Sequence, residues 1–497
     1  MKRFVLLLVL LAHPAFATGT LRYGLEFDPD VLDPARSGSY TDRIVSSWMC
    51  DQLLDVDRDL NFVPQLATAW EWAADGRALT LHLRPNVTFQ DGAAFDASAV
   101  QANIARYQNA PESLRKTELR PVTGVEILDP LTVRITLSAP YAPLLSLLAN
   151  RPGIMLSPST LSAGSDAIVA HPVCTGPYSF VERVAQSRIV LKKYPGHWNA
   201  AAMGPDRVEF STIVDNTVRR VNLAAGALDI ANRIAPTDSE QVAGNPRLRL
   251  VTSPSIGFQL ISFNLDHGPA AQTPIGRDPR VRAAFEKSID RAALNQVVLD
   301  GRFVPSNQTE APGSRYWSPD DPVPPRDVAG ARALLKQAGL ERVAFTMLVG
   351  NDPVNIQIGE VIQSMAAEAG FDIKVQAIES LTGLAAERAG DYQAAMVIWS
   401  GRPDPDGNSS IWMSCAGFLN WGRYCNPKLD QLFAEGGATI DPLKRVPIYR
   451  AITAIAQRDR SHMVLFHFTW LWGVSRAVDG LVPMPDGILR PAGVRLR

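Results

Sequence analysis

The chain has 497 residues, 46% of them hydrophobic and 20% charged, with 49 Lys and Arg against 50 Asp and Glu. This is the composition of a globular protein of about three domains, and a near-neutral balance without a basic cluster argues against nucleic acid as a partner. Beyond the N-terminus, no stretch approaches the roughly 20 apolar residues that a membrane-spanning helix requires.

At the N-terminus, Lys2 and Arg3 precede the apolar run Phe4–Ala12, and Ala15-Phe16-Ala17 supplies small residues around a cleavage point. That order reads as a secretory signal peptide cut after Ala17. No cysteine follows the cut, so a lipid anchor is not expected. Next comes a short strand, Leu21 to Leu25, then an irregular segment with Asp28-Pro29 and Asp33-Pro34, and a helix around Ile44 to Leu54. Trp70 and Trp72, the turn Asp75-Gly76, and then Leu79, Leu81 and Leu83 alternate as a β-hairpin does. Asp96 is a candidate N-cap for a helix with Val100, Ile104 and Tyr107 on one face. A second hairpin runs from Val125 and Ile127 through Asp129-Pro130 to Leu131, Val133, Ile135 and Leu137.

The pattern changes after residue 259. Asp278 and Pro279 can open a helix in which Val281, Phe285, Ile289 and Ala292 recur at helical spacing. Asp327 can cap a second helix, Val328 to Ala338, ended by Gly339. A strand Val343 to Val349, a helix Val354 to Ala369 and a strand Phe371 to Ala377 come next, then a short helix and the strand Ala394 to Trp399. Strands alternating with helices predict parallel pairing. In such sheets ligands sit beyond the carboxyl ends of the strands. The segment after Trp399, Ser400-Gly401-Arg402-Pro403-Asp404-Pro405-Asp406-Gly407-Asn408, lies there and is too rich in Pro and Gly for regular structure, so it is a candidate ligand loop; local turn chemistry is the alternative.

Four cysteines in an exported chain suggest disulfides. Cys415 and Cys425 enclose a short loop and are expected to pair; Cys50 with Cys174 follows by elimination, with burial as free thiols the alternative. Neither a zinc spacing nor a catalytic signature such as GxSxG, HExxH or a phosphate-binding glycine loop is present. His462 and His467 are five apart in an apolar run, which suits structural histidines better than metal ligands. No catalytic residue, metal or cofactor is therefore assigned. A secreted hydrolase, or a ligand sensor or chaperone-like protein, stays as a distant alternative.

Several blocks together resemble the family 5 extracellular solute-binding proteins, the dipeptide, oligopeptide and nickel binders of ABC importers. They are Val63-Pro64-Gln65-Leu66-Ala67 with Trp70; Asp75-Gly76 and Leu79 to Arg84; Val87-Thr88-Phe89-Gln90-Asp91-Gly92; Thr175-Gly176-Pro177-Tyr178 with Lys192 and Trp198; Gly226 to Ile230; Phe263-Asn264; Asp278 to Ala284 with Ile289-Asp290-Arg291; Ala331 to Gly339; and Lys444-Arg445 with Tyr449. Gln90 departs from the family, where His is more usual. The resemblance implies an α/β, two-lobed periplasmic-binding-protein fold (type II, cluster C-like) with an extra domain on the first lobe. Residues 18–55, 170–258 and 471–497 would form the first lobe, 56–169 the extra domain and 259–470 the second lobe. It also implies a periplasmic monomer that takes a small molecule or peptide to an inner-membrane ABC permease.

Peptide-binding members hold the ligand's ammonium with an Asp just after a Trp-x-Gly segment. Trp399-Ser400-Gly401 matches that segment, but Arg402 fills the Asp position. Three readings stay open. Asp404 or Asp406 could take the ammonium from a shifted loop. Arg402 could bind a carboxylate with its planar fork, favouring an acidic peptide or an opine-like or glutathione-like conjugate. Or Arg402 merely pairs with Asp404 or Asp406 at the surface. Trp399, Trp412 and Trp421, with Arg423, are further candidates for the pocket or its rim, where large amphipathic rings suit varied side chains or the rings of an oligosaccharide. Phe258 and Gln259 could offer backbone groups to an extended ligand, and Tyr40 is a candidate from the first lobe.

Overall fold

The structure, a computed structural model, describes residues 19–497; the expected signal peptide, residues 1–17, lies outside them. Two long antiparallel strands, Leu248–Phe263 and His462–Ser475, run through the middle of an 11-stranded sheet. Both are buried over most of their length, and the largely apolar sequence of the second suits a strand covered on both faces. Their register shifts between Pro254 and Phe258. A bulge of this kind bends the strand and re-aims the residues beyond it.

On the first-lobe side the order continues through Ile230–Ala231, Thr20–Leu25, Arg207–Thr212, Arg188–Lys193 and Tyr178–Val184. On the second-lobe side Ala394–Trp399 pairs antiparallel with Phe258–Phe263. Val343–Gly350 then pairs in parallel with both Ala394–Trp399 and Phe371–Ile378, the parallel unit that the alternation predicts. Each side has its own core. Tyr23, Trp48, Phe210 and Trp472 fill one, while Phe285, Phe345, Ile362 and Phe371 fill the other. The protein is therefore two-lobed.

A separate four-stranded antiparallel sheet, Ala67–Trp72, Ala78–Leu83, Thr132–Leu137 and Val122–Asp129 in spatial order, contains both expected hairpins. Helix Ala97–Asn109 covers it, and the Asp96 carboxylate accepts from the amides of Ser98 and Ala99. Gln90 fastens this domain to the first lobe. Its Nε2 donates to the carbonyls of Met49, Gly176 and Tyr178, and its Oε1 accepts from the Cys174 amide. An amide can donate and accept at once, which makes Gln an adequate occupant where the family more often has His. Cys50 and Cys174 form a disulfide beside this contact, and Cys415 and Cys425 form the second.

Two local expectations need correction. The apolar spacing from Val281 to Ala292 does not make one helix. The first ends at Ser288, Ile289 is extended, and Asp290 caps a new helix, Arg291–Leu299, by accepting from the Ala293 amide. An Asp able to cap overrides apolar periodicity at that point. The segment after Trp399 is likewise not wholly irregular, because helix Asp406–Met413 begins inside it. Pro405 stands just before its first residue, where its missing N–H costs the helix nothing.

Candidate functional site

The carboxyl ends of the parallel strands open into a cleft between the lobes. Leu348 to Gly350, Ile378, and Ala395 to Trp399 line a cavity of about 220 Å³ there, where doubly wound sheets bind ligands. Phe27, Tyr40, Arg43, Arg151, Arg233 and Trp470 complete its wall. Tyr40 stacks on Trp470 at 5.0 Å between ring centroids and donates its hydroxyl to the Gly487 carbonyl, so the ring is fixed before any ligand arrives. Two further spaces adjoin. One of about 440 Å³ shares Trp399 and Arg402 and reaches toward the extra domain; one of about 150 Å³ shares Arg233 and Trp470.

The loop after Trp399 is held by Asn408. Its side-chain oxygen accepts from the Arg402 amide at 2.7 Å and from the Trp399 indole at 3.2 Å, and its Nδ2 donates to the Arg402 carbonyl. Gly401 has φ +81°, and a Cβ there would come within 2.6 Å of the Ile256 backbone in the central bulge. Both features require glycine. Gly401→Ala is expected to cost at least about 1–3 kcal/mol from the backbone conformation alone, and more from the contact. Urea denaturation checks this; an unchanged midpoint would contradict the tight packing of loop on bulge.

Arg402 itself is buried, with its guanidinium carbon 4.2 Å from the Trp399 ring centre. It donates to the Gly401 carbonyl at 2.8 Å. Among the described residues no carboxylate lies within ion-pair distance of it. Arg43 and Arg151 are nearby, and burial first, then these two charges, press its pKa well below the ordinary value. A guanidinium does not give up its proton in a protein, so this pressure is an unrelieved charge that an anion would relieve. Arg43 donates to the Ser400 hydroxyl across the cleft at 2.8 Å and faces Asp486 at 3.7 Å. Arg151 is paired with Asp42 at 3.0 Å. Arg233 lies against the rings of Phe468 and Trp470 and, among the described residues, it too has no carboxylate partner. Four guanidiniums line the cavity; Glu387 is the one carboxyl among the described residues that does so.

Asp404 and Asp406 are elsewhere engaged. Asp404 accepts two hydrogen bonds from Arg445, at 2.6 and 2.8 Å, both partners being buried. Asp406 accepts from Ser410 and Tyr449, and burial and then Asp404 push its carboxyl up to about 6. Both border the larger space toward the extra domain. The reading in which Arg402 pairs with either of them at the surface is corrected: Arg402 is buried and Asp404 belongs to Arg445.

Four other expectations are corrected too. Phe258 and Gln259 sit in a central strand, paired with Trp399 and Ile398 on one side and His467 and Phe466 on the other, so neither has a free backbone edge for a ligand. The Gln259 side chain donates to Asn355 and borders only the smallest of the three spaces. Trp412 is fully buried in the second lobe, edge-on to Trp399, because the helix from Asp406 turns it inward. Trp421 is half-buried under the Arg388 guanidinium, and Arg423 is exposed; neither is among the cavity's lining residues.

The site thus gathers Tyr40, Trp399 and Arg402 with residues that sequence reading did not single out: Arg43, Arg151, Arg233, Glu387 and Trp470. A weak signal existed for Arg43, a basic residue on helix Tyr40–Met49 among the buried Ile44, Val45 and Trp48. The other four carry none.

The profile of the bacterial extracellular solute-binding proteins, family 5 Middle, matches residues 61–420. The glutathione-binding protein GsiB of Salmonella paratyphi A is 29% identical over 490 residues, covering 96% of this chain and 94% of the relative. Its namesake from Pectobacterium atrosepticum is 28% identical over 473 residues, covering 92% and 90%. Among solved structures, a dipeptide-binding protein from Pseudoalteromonas sp. SM9913, in complex with Met-Leu, superposes with a TM-score of 0.88 at 19% identity, covering 96% and 100%. The binding protein AgaA from A. tumefaciens R10, in complex with agropinic acid, does so at 0.87 and 23%, covering 96% and 99%. These two share the fold. With the family profile spanning well over half its length, the chain belongs to the bacterial extracellular solute-binding proteins of family 5.

Proposed function

We propose that the protein is the periplasmic binding component of an ABC importer and captures a small, peptide-like solute bearing carboxylates, passing it unchanged to an inner-membrane permease. In this reading residues 1–17 direct export and are removed. Residues 18–55, 170–258 and 471–497 form the first lobe, 56–169 the added domain and 259–470 the second lobe. The observation that carries the proposal is Arg402, a buried guanidinium at the cleft without a carboxylate partner, beside Arg43 and Arg151. A ligand carboxylate there would gain charge-assisted, two-pronged hydrogen bonds. It would also touch both lobes at once, shifting the open–closed equilibrium toward the closed state. The glutathione-binding relatives point the same way, since glutathione is a peptide with two carboxylates. The engagement of Asp404 by Arg445 weighs against an ammonium held at that position.

A thermal-shift and calorimetric panel of glutathione, neutral dipeptides, opine-like acids, oligosaccharides and nickel tests the proposal. Glutathione at 100 times its dissociation constant is expected to add about 2.7 kcal/mol of stability. Arg402→Ala is expected to weaken it about 100-fold, equivalent to about 2.7 kcal/mol. Binding confined to uncharged solutes, or an Arg402→Ala variant that binds glutathione as well as the parent does, would overturn the proposal.

A further inference from the structure

Glu387 stands alone on the cavity wall. Ser380, Gly383, Leu384 and Glu387 lie at helical spacing along one face of helix Ser380–Ala389, and all four line the cleft. Glu387 is 7% exposed, and no hydrogen bond or ion pair to its carboxylate is found among the described residues. The other carboxyls near the cleft are occupied. Asp42 and Asp486 pair with arginines. In the adjoining space, Asp352 and Glu379 cap helices, and Glu26 accepts from Asn232 with one oxygen while the other is buried without a partner. A buried carboxyl without a partner is costly, and a protein that keeps one facing its binding cavity has a use for it.

We propose that Glu387 receives an ammonium group of the bound solute, so that the ligand is a dipolar anion with its amine at one end of the cavity and a carboxylate on Arg402 at the other. The inference rests on the proposed capture of a carboxylate by Arg402 and adds the second pole. Burial pushes the Glu387 carboxyl up to about 8. The ammonium site is thereby assigned not to the loop after Trp399, where Arg402 stands, but to helix Ser380–Ala389.

The test uses two probes that differ only at the amine, glutathione and its N-acetylated form, titrated calorimetrically into the parent protein, Glu387→Gln and Arg402→Ala. The parent is expected to prefer free glutathione by at least tenfold. Glu387→Gln removes that preference by weakening glutathione alone, whereas Arg402→Ala weakens both probes. Equal binding of the two probes by the parent overturns the role of Glu387 whatever the variant's fold, as does a Glu387→Gln variant that retains the preference; in either case an effect of Arg402→Ala leaves the carboxylate reading standing. If the parent binds neither probe, the role of Glu387 toward such a peptide falls, while binding of opine-like acids in the panel would leave the carboxylate reading standing.

Discussion

Arg445→Ala is expected to destabilise the protein by about 3–5 kcal/mol, the range for removing one partner of a buried ion pair. Arg445 is 4% exposed and Asp404 7%. Besides its two bonds to Asp404, the guanidinium donates to the Gly436 carbonyl at 2.9 Å and to the Tyr449 hydroxyl at 3.1 Å, so one side chain ties the loop after Trp399 to two helices of the second lobe. Its loss strands a carboxylate in the core, with the Asp406 carboxyl as near neighbour. The pair as a whole need not be stabilising, because desolvating both charges offsets much of their attraction. A double variant, Asp404→Leu with Arg445→Met, is therefore expected to recover most of the loss. Urea unfolding of the parent, the two single variants and the double variant measures this coupling. A double variant no more stable than Arg445→Ala would mean that the bonds to Gly436 and Tyr449, and not the ion pair, carry the effect.

Much of the scaffold was legible because its signals are local. Asp96, Asp278 and Asp327 cap the helices expected of them, since an Asp before a helical run acts on amides two or three residues away. The hairpins are equally local, with strict alternation and a turn residue at each bend. The cleft is another matter. Arg43, Arg151, Arg233, Glu387 and Arg402 come from segments scattered across the chain; Arg402 stood out only by its place after Trp399, and Arg151, Arg233 and Glu387 are unremarked charges in sequence. Glu387 follows two alanines and precedes an arginine on a short helix, which reads as a solvated face; only the packing of that helix against the strand ends buries it. The aromatic cluster misled in the opposite direction. Trp399 and Trp412 are close in sequence to the ligand loop, yet helix Asp406–Met413 sends Trp412 into the core. Nearness in sequence indicates a site only while the chain stays irregular, and here it does not.

Glu387→Gln is expected to make the ligand-free protein more stable at pH 8 by roughly 2–5 kcal/mol, with the gain fading below pH 5. The Glu387 carboxyl is raised from an ordinary 4.5 to about 8 by burial, and each unit of such a shift is worth about 1.4 kcal/mol. Between those two values the folded state keeps a proton that the unfolded state has released. The unfolded state then binds fewer protons, so stability falls as pH rises through that window and levels off above about 8. Glutamine does not titrate and has nearly the same shape, so the variant escapes this loss. Tyr392 is the titratable group that senses the carboxyl; burial and then Glu387 raise its phenol, too far to titrate in the same range. Urea unfolding of parent and variant at pH 5, 6.5 and 8 gives the comparison, and parallel curves would mean that Glu387 is solvated or already paired. Saturating the parent with a dipolar ligand at pH 8 should reverse the order, because the ammonium then supplies the missing partner and binding stabilises by mass action. A residue that weakens the empty protein and strengthens the filled one is kept for its ligand, and that crossing of the two stabilities distinguishes a binding carboxyl from a badly buried one.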